Sequence, residues 1–462
     1  MLRIEHANSW SRVAGGDARD VEWLDDYLSV PTVSFEGGVR QEDRWRMLSA
    51  IGHRFGSGVL PLVVEAAGRA GVALGLEDVR SGAPRPYDPR ADVSWLRAYQ
   101  DRAARALAEA GYERGVCKAP TGSGKTELVV AMTRLVPCDN WLMLVHRAGL
   151  AEQAAQRYLR RTGEVAGTFV SGEWRPGTCN LTTATFQALQ ATARKHPAKL
   201  RRLVEAVDGV MVDEVHAQAS PANLRTTQVF VNARRRYGFS ATPMHRGDVS
   251  ALKVMAATGP VLVDITYGEL LRAGAIVRPV VRMVRLAQDE LAWSTERDWR
   301  EVYTRLIVRS RRRNMLLADM ADRCAKPCLL FVDELDHVGF MLRHLQMSGL
   351  RAGVVHGGHA QAQRNEALRA LVGGDLDVVV CTTVFQEGID VPELRGVVVG
   401  CAKSSSVACL QRVGRGMRPS ADKSEFEVWD VYDQGQEWLE AHSAQRACAL
   451  RDEGLDVLVE DW

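Results

Sequence analysis

The chain has 462 residues, 46% hydrophobic and 25% charged, with a formal net charge of only +2. That is enough apolar material for about three packed domains. It excludes a uniformly basic protein, so any affinity for phosphates must come from local clustering.

Residues 1–88 are predicted as a small α+β accessory domain, with turns at Gly37-Gly38 and Gly56-Ser57-Gly58 and a helix from Leu60 to Ala70. Residues 1–90 carry 11 Lys+Arg against 13 Asp+Glu, a net −2, which is not the footprint of a phosphate-binding module. A protein-partner role therefore stands beside a DNA-contacting one. Ser81–Arg90 holds three prolines and a glycine and reads as a linker.

From about residue 92, short apolar runs alternate with amphipathic segments. Trp141–Val145, Gly209–Val212, Leu329–Val332, Val378–Val380 and Val397–Val399 read as strands buried on both faces, which predicts helix-covered parallel sheets. There are enough for two sheets, divided near residue 275 by the Gly and Pro of Ala273–Pro279. Residues 441–462 read as a C-terminal helix and acidic tail. No repeat or low-complexity tract interrupts the pattern.

Ala119-Pro120-Thr121-Gly122-Ser123-Gly124-Lys125-Thr126 lies between an apolar segment and a helical pattern. A Gly-rich strand-to-helix turn lets backbone N–H groups approach phosphates, with the helix N-terminus adding positive potential. Lys125 would reach the β- and γ-phosphates of a nucleoside triphosphate, and the Thr126 hydroxyl would sit on Mg²⁺. Ala119 stands where the usual pattern has Gly.

Asp213-Glu214-Val215-His216 follows the run at 209–212. A carboxylate at the carboxyl end of a strand beside a phosphate loop is placed to hold Mg²⁺, the role expected of Asp213. Glu214 is placed to orient and deprotonate a water. Arg234-Arg235-Arg236 and Arg309–Arg313 are the local basic clusters, each read as a solvated helix face or strand end unless phosphates meet it. In Gln411-Arg412-Val413-Gly414-Arg415-Gly416-Met417-Arg418, Arg415 and Arg418 are three apart and share one side of a helix, where they could stabilise charge on a transferred phosphoryl group.

These residues, in this order, resemble the superfamily 2 helicases, and the resemblance spans about residues 94–435. Leu96-Arg97-Ala98-Tyr99-Gln100 looks like the adenine-contacting segment, with Arg97 and Gln100 as the contacts. Val145-His146-Arg147 and Thr182-Thr183-Ala184-Thr185-Phe186-Gln187 resemble strand-contacting motifs, which implies nucleic-acid roles for His146, Arg147, Thr182 and Thr185. Ser240-Ala241-Thr242-Pro243, with Arg246 after it, is similar to the motif that couples hydrolysis to movement, and the resemblance implies that His216 links the ATP site to the bound strand. Val355-His356-Gly357-Gly358 and Thr382–Asp390 look like second-domain motifs, in which His356 and Thr382 would meet nucleic acid and Gly388 and Asp390 the nucleotide. Gln411, Arg415 and Arg418 complete the set.

Within the superfamily the DExH form and the Gly-Arg-Gly-Met-Arg-Pro ending look most like UvsW-type phage helicases and their XPB-like relatives. The resemblance implies an α/β chain with two RecA-like parallel-sheet domains in tandem, at 89–274 and 275–440. It implies an ATP- and Mg²⁺-dependent enzyme that translocates on and unwinds or remodels branched DNA. The alternatives are a translocase that never separates strands, or an RNA helicase. DNA is the expected partner over RNA, with no membrane partner and a monomer as the default.

Several residues are better read without special chemistry. No window approaches about 18 uncharged apolar residues, and the first residues lack a basic segment before a long apolar one, which predicts a cytoplasmic, non-secreted protein of a bacterium or phage-infected host. The nine cysteines are expected as free thiols. His146, His216, His245 and His356 fall in separate motifs and form no metal set. Trp141 is expected in the core, and Trp174 and Trp293 are the better base-stacking candidates.

Overall fold

The computed structural model describes residues 1–36, 39–82, 86–109, 113–243, 249–288, 298–382, 391–403, 414, 416–420 and 422–462. The chain forms two compact units, Met1–Ala119 with Gly124–Ile265, and Thr266–Trp462 with Pro120–Ser123.

The first unit holds an eight-stranded sheet. Its spatial order is Glu173–Arg175, Gly167–Val170, Leu181–Thr185, Trp141–Val145, Gly209–Asp213, Arg235–Ser240, Arg114–Lys118 and Val261–Asp264. Every pairing is parallel except that of Glu173–Arg175. The strand of Trp141 is buried along its whole length, as a strand covered by helices on both faces must be. The strands that end at Lys118, Asp213 and Ser240 are neighbours, so their carboxyl ends open on one crevice.

A separate four-stranded sheet (Arg54–Gly56, Trp10–Gly15, Leu2–His6, Leu74–Asp78) and the hairpin Ser29–Glu36/Val39–Arg46 make up the N-terminal part. Its core of Leu2, Ile4, Leu24, Phe55, Val59 and Val63 continues into Ala256, Leu252 and Met255 of the helix Val249–Thr258. Gly58 lies in the single 3-10 turn Ser57–Val59 and is also a point of close approach, because a Cβ there would fall 1.8 Å from the Met255 carbonyl oxygen.

The cluster Arg234-Arg235-Arg236 corrects the sequence reading. Arg235 and Arg236 are 5% and 0% exposed, so neither belongs to a solvated face. Arg236 donates to the Ser9 hydroxyl at 2.8 Å and Arg114 to the Asn8 carbonyl at 2.9 Å. Glu113 accepts from Arg234 and pairs with Arg80 at 3.1 Å and Arg235 at 3.2 Å. A net-acidic N-terminal segment is thereby bolted to the amino ends of the strands Arg114–Lys118 and Arg235–Ser240.

Removing one partner from a buried ion cluster costs about 3–5 kcal/mol, because the opposite charges are left desolvated. Glu113→Gln is therefore expected to lower the unfolding free energy of the first unit by an amount of that order, and its urea midpoint with it. An unchanged midpoint in urea unfolding followed by circular dichroism would refute it.

The second unit carries a seven-stranded parallel sheet in the order Ala352–Val355, Val378–Thr382, Cys328–Val332, Gly396–Val399, Glu425–Gln434, Arg278–Ala287 and Val457–Asp461. The last strand corrects the acidic tail: after the helix Glu437–Asp452 the chain returns to the sheet edge. Its Asp461 pairs with Arg285 at 2.9 Å, and Glu460 with Arg282 at 3.6 Å. Within Arg309–Arg313, Arg313 is fully buried on Asp433. Among the described residues no helix is long and apolar enough to cross a membrane.

Candidate nucleotide site and nucleic-acid cavity

The strand Arg114–Lys118 leads into the loop and Lys125–Leu135 is the helix behind it. Gly122 and Gly124 have φ of +90° and +82°, left-handed values that glycine adopts without strain. Gly124 is also crowded by Gln100, since a Cβ there would fall 2.3 Å from the Gln100 Nε2. Gln100 is 5% exposed, and its Oε1 accepts from the Arg97 backbone N–H at 2.9 Å. One amide thus ties the predicted adenine-contacting segment to the phosphate loop.

Lys125 Nζ lies 3.3 Å from Glu214 Oε1 and 3.4 Å from the Ala119 carbonyl. Glu214 sits in the left-handed region at φ 49°, just past the strand end. Its Oε2 accepts from the Ser240 hydroxyl at 3.1 Å. Ser240 Oγ also meets His216 Nδ1 at 2.9 Å and accepts from the Thr242 N–H at 3.2 Å. With the Ser240 hydrogen spent on Glu214, His216 carries a hydrogen on Nδ1 toward Ser240.

The two carboxylates are driven apart electrostatically. Burial and then the Glu214 charge push Asp213 up to about 6, against the pull of Lys125. Glu214 is half-buried, and desolvation pushes it up too, but Lys125, His216 and the Ser240 hydrogen bond outweigh that and hold it below the usual carboxylate range. Crowded anionic oxygen at Asp213 beside a phosphate loop suits a hard divalent cation, and Thr126 in the first turn of the helix supplies a hydroxyl. Among the described residues no group of three or more His, Cys, Asp or Glu could hold a metal alone, so phosphates and waters would complete such a shell.

A second feature of the first unit is a cavity of about 480 Å³ at the carboxyl ends of Trp141–Val145 and Leu181–Thr185. His146, Thr185 and Gln187 line it, with Ser171, Gly172, Lys195, His196 and Lys199, and no lining residue is acidic. The basic run Lys195-His196-Pro197-Ala198-Lys199 was the signal available in the sequence, and it belongs to none of the recognised motifs. Thr185 is only 5% exposed, and its hydroxyl caps the helix Phe186–Lys195 by accepting from the Ala188 N–H. Thr182, three residues before the strand end, is not among the residues lining the cavity. Arg147 is exposed at the start of the helix Ala148–Thr162. Trp141 is 1% exposed, whereas Trp174 is 38% exposed and packs at 5.5 Å on Phe169.

In the second unit His356 Nδ1 accepts from the Gly358 N–H at 3.1 Å, and Thr382 is 5% exposed at its strand end. Arg418 is half-buried. Arg246, Gly388, Asp390, Gln411 and Arg415, like His245 and Trp293, lie outside the described residues. The eight cysteines that are described are free thiols.

Residues 94–245 match the family described as type III restriction enzyme, res subunit, and residues 313–420 match the helicase conserved C-terminal domain. The chain belongs to the superfamily 2 helicases. It is 25% identical over 340 residues to "Putative helicase 22" of Sulfolobus islandicus filamentous virus, covering 69% of this chain and 60% of that one. It is 27% identical over 332 residues to the ATP-dependent DNA helicase RecG of Mycobacterium tuberculosis, covering 65% and 43%. This superfamily 2 helicase thus spans about half the length of the curated relatives it matches. Among solved structures, that of UvsW from phage T4 is similar over 100% of this chain and 99% of that one, at 16% identity and a TM-score of 0.45.

Proposed function

We propose that this superfamily 2 helicase is an ATP-dependent DNA helicase that couples hydrolysis to translocation on, and unwinding or remodelling of, branched DNA. The observation that carries the reading is the polar path from Lys125 through Glu214 and Ser240 to Thr242. It joins the lysine for the phosphates, the carboxylate for the water and the coupling segment in one network.

On this reading Lys125 leaves Glu214 for the β- and γ-phosphates when ATP arrives. Glu214, held ionised by its neighbours, orients the attacking water and takes its proton. Asp213 and Thr126 would hold Mg²⁺, which when bound neutralises charge on the phosphate oxygens. Ser240 feels each change at Glu214 and passes it to the Thr242 backbone. By the motif they match, Arg415 and Arg418 stabilise the transferred phosphoryl group and Gln411 serves the same nucleotide.

DNA is favoured by the name of the RecG relative, and a backbone rather than a base code by the cavity with Lys195 and Lys199 and no acidic lining. A monomer suffices, because one chain carries both the phosphate loop and the arginine segment. The N-terminal part, net acidic, suits a protein partner better than a phosphate backbone, and the cytoplasm of a bacterium or an infected cell is the expected setting.

ATP hydrolysis and strand separation measured with single-stranded DNA, duplex, fork, Holliday junction and RNA test the proposal. Hydrolysis should rise with DNA, and forks or junctions should be separated. Stimulation by RNA alone would remove DNA from the reading, and hydrolysis without separation of any substrate would leave a translocase.

A further inference from the structure

Lys423 lies between the Gly416–Arg418 segment and the strand Glu425–Gln434, and it is 8% exposed. Its ammonium donates to the carbonyls of Pro392 at 3.0 Å and Arg418 at 3.2 Å, and to that of Gly416. An ammonium has three N–H donors and no acceptor, so three carbonyls use all of them. Among the described residues no carboxylate pairs with it. A buried cation without an anion is costly, and here its hydrogen bonds go to backbone from two separate stretches of chain.

The packing around it is equally tight. Lys423 Nζ stands 5.2 Å from the centre of the Phe426 ring. A Cβ on Gly416 would fall 1.8 Å from the same ring, so the segment has no room to shift toward the strand.

We propose that Lys423 is a positioning residue for ATP turnover: by gathering the carbonyls of Gly416, Arg418 and Pro392 it fixes the backbone from which Arg418 projects. This rests on the reading that Arg418 serves the transferred phosphate. A group that acts only through Arg418 has nothing left to position once that side chain is gone, whereas a residue of general structural value weakens any background.

The test is a double-mutant cycle in the full chain, reading DNA-stimulated ATP turnover for Lys423→Met, Arg418→Ala and the pair. Lys423→Met should lower kcat by about 10-fold or more with KM for ATP changed by less than about twofold, because the loss is confined to the transition state. In the Arg418→Ala background it should cause no further loss. Wild-type kcat for Lys423→Met beside an impaired Arg418→Ala would overturn the proposal alone, as would losses that multiply in the pair. Full activity of Arg418→Ala would instead sink the arginine reading and the proposal with it. If Lys423→Met does not fold, Lys423→Gln, which retains donors for part of the site, is carried through the same cycle. Failure of both to fold would assign Lys423 to the fold and overturn the proposal.

Discussion

Lys125→Ala is expected to reduce ATP turnover by at least about 10²–10³-fold, the loss typical when one preorganised donor to a developing anion is removed. Two effects follow. The phosphates lose their cation, and Glu214 loses the partner 3.3 Å away that does most to hold its carboxylate ionised. The second effect belongs to the enzyme before ATP arrives, because Lys125 leaves Glu214 for the phosphates during turnover, so the lost phosphate contact carries the fall in rate. Lys125→Arg should lose almost as much, because a planar fork does not replace a compact ammonium beside Ala119 and Glu214. Steady-state hydrolysis with saturating DNA, alongside binding of a fluorescent ATP analogue, checks both. Turnover within a few-fold of wild type would place the phosphate site elsewhere.

What could be read in the sequence was whatever is local. The phosphate loop and Asp213-Glu214 are contiguous, and the strands buried on both faces announce themselves as unbroken apolar runs such as Trp141–Val145. Three features were hidden for physical reasons. Arg234 and its neighbours look like a surface patch because their partner, Glu113, is 121 residues away along the chain. The terminal strand Val457–Asp461 reads as an acidic tail because it is an edge strand, whose Glu460 and Asp461 are matched by arginines on other elements. Lys195 and Lys199 are unremarkable on their own helices and become part of one cavity only when the helices pack over the strand ends.

Asp213→Asn is expected to remove turnover and, without nucleotide, to stabilise the first unit. The carboxyl is pushed up to about 6, by burial first and the Glu214 charge second, from an ordinary value of 3.8. Its folded pKa therefore lies above its unfolded one, so the folded state holds the proton more tightly and ionising the group costs stability. That cost is absent below about 4, grows between 4 and 6, and is fully present at neutral pH. Asparagine carries no charge at any pH and keeps an oxygen for the Glu214 backbone N–H, which Asp213 Oδ1 now accepts at 3.0 Å. The variant should exceed wild type by on the order of 1–3 kcal/mol at pH 7–8, at about 1.4 kcal/mol per pKa unit. The gap should close as the pH falls toward 4. Adding ATP analogue with Mg²⁺ should reverse the order, because a ligand that binds only the folded wild-type site stabilises it by mass action. Melting curves from pH 4 to 8, with and without nucleotide, decide the point. A variant no more stable than wild type at pH 8 would mean that the buried charge at Asp213 is already compensated by Lys125, and that the crowding of carboxylates is not what prepares this site for a cation.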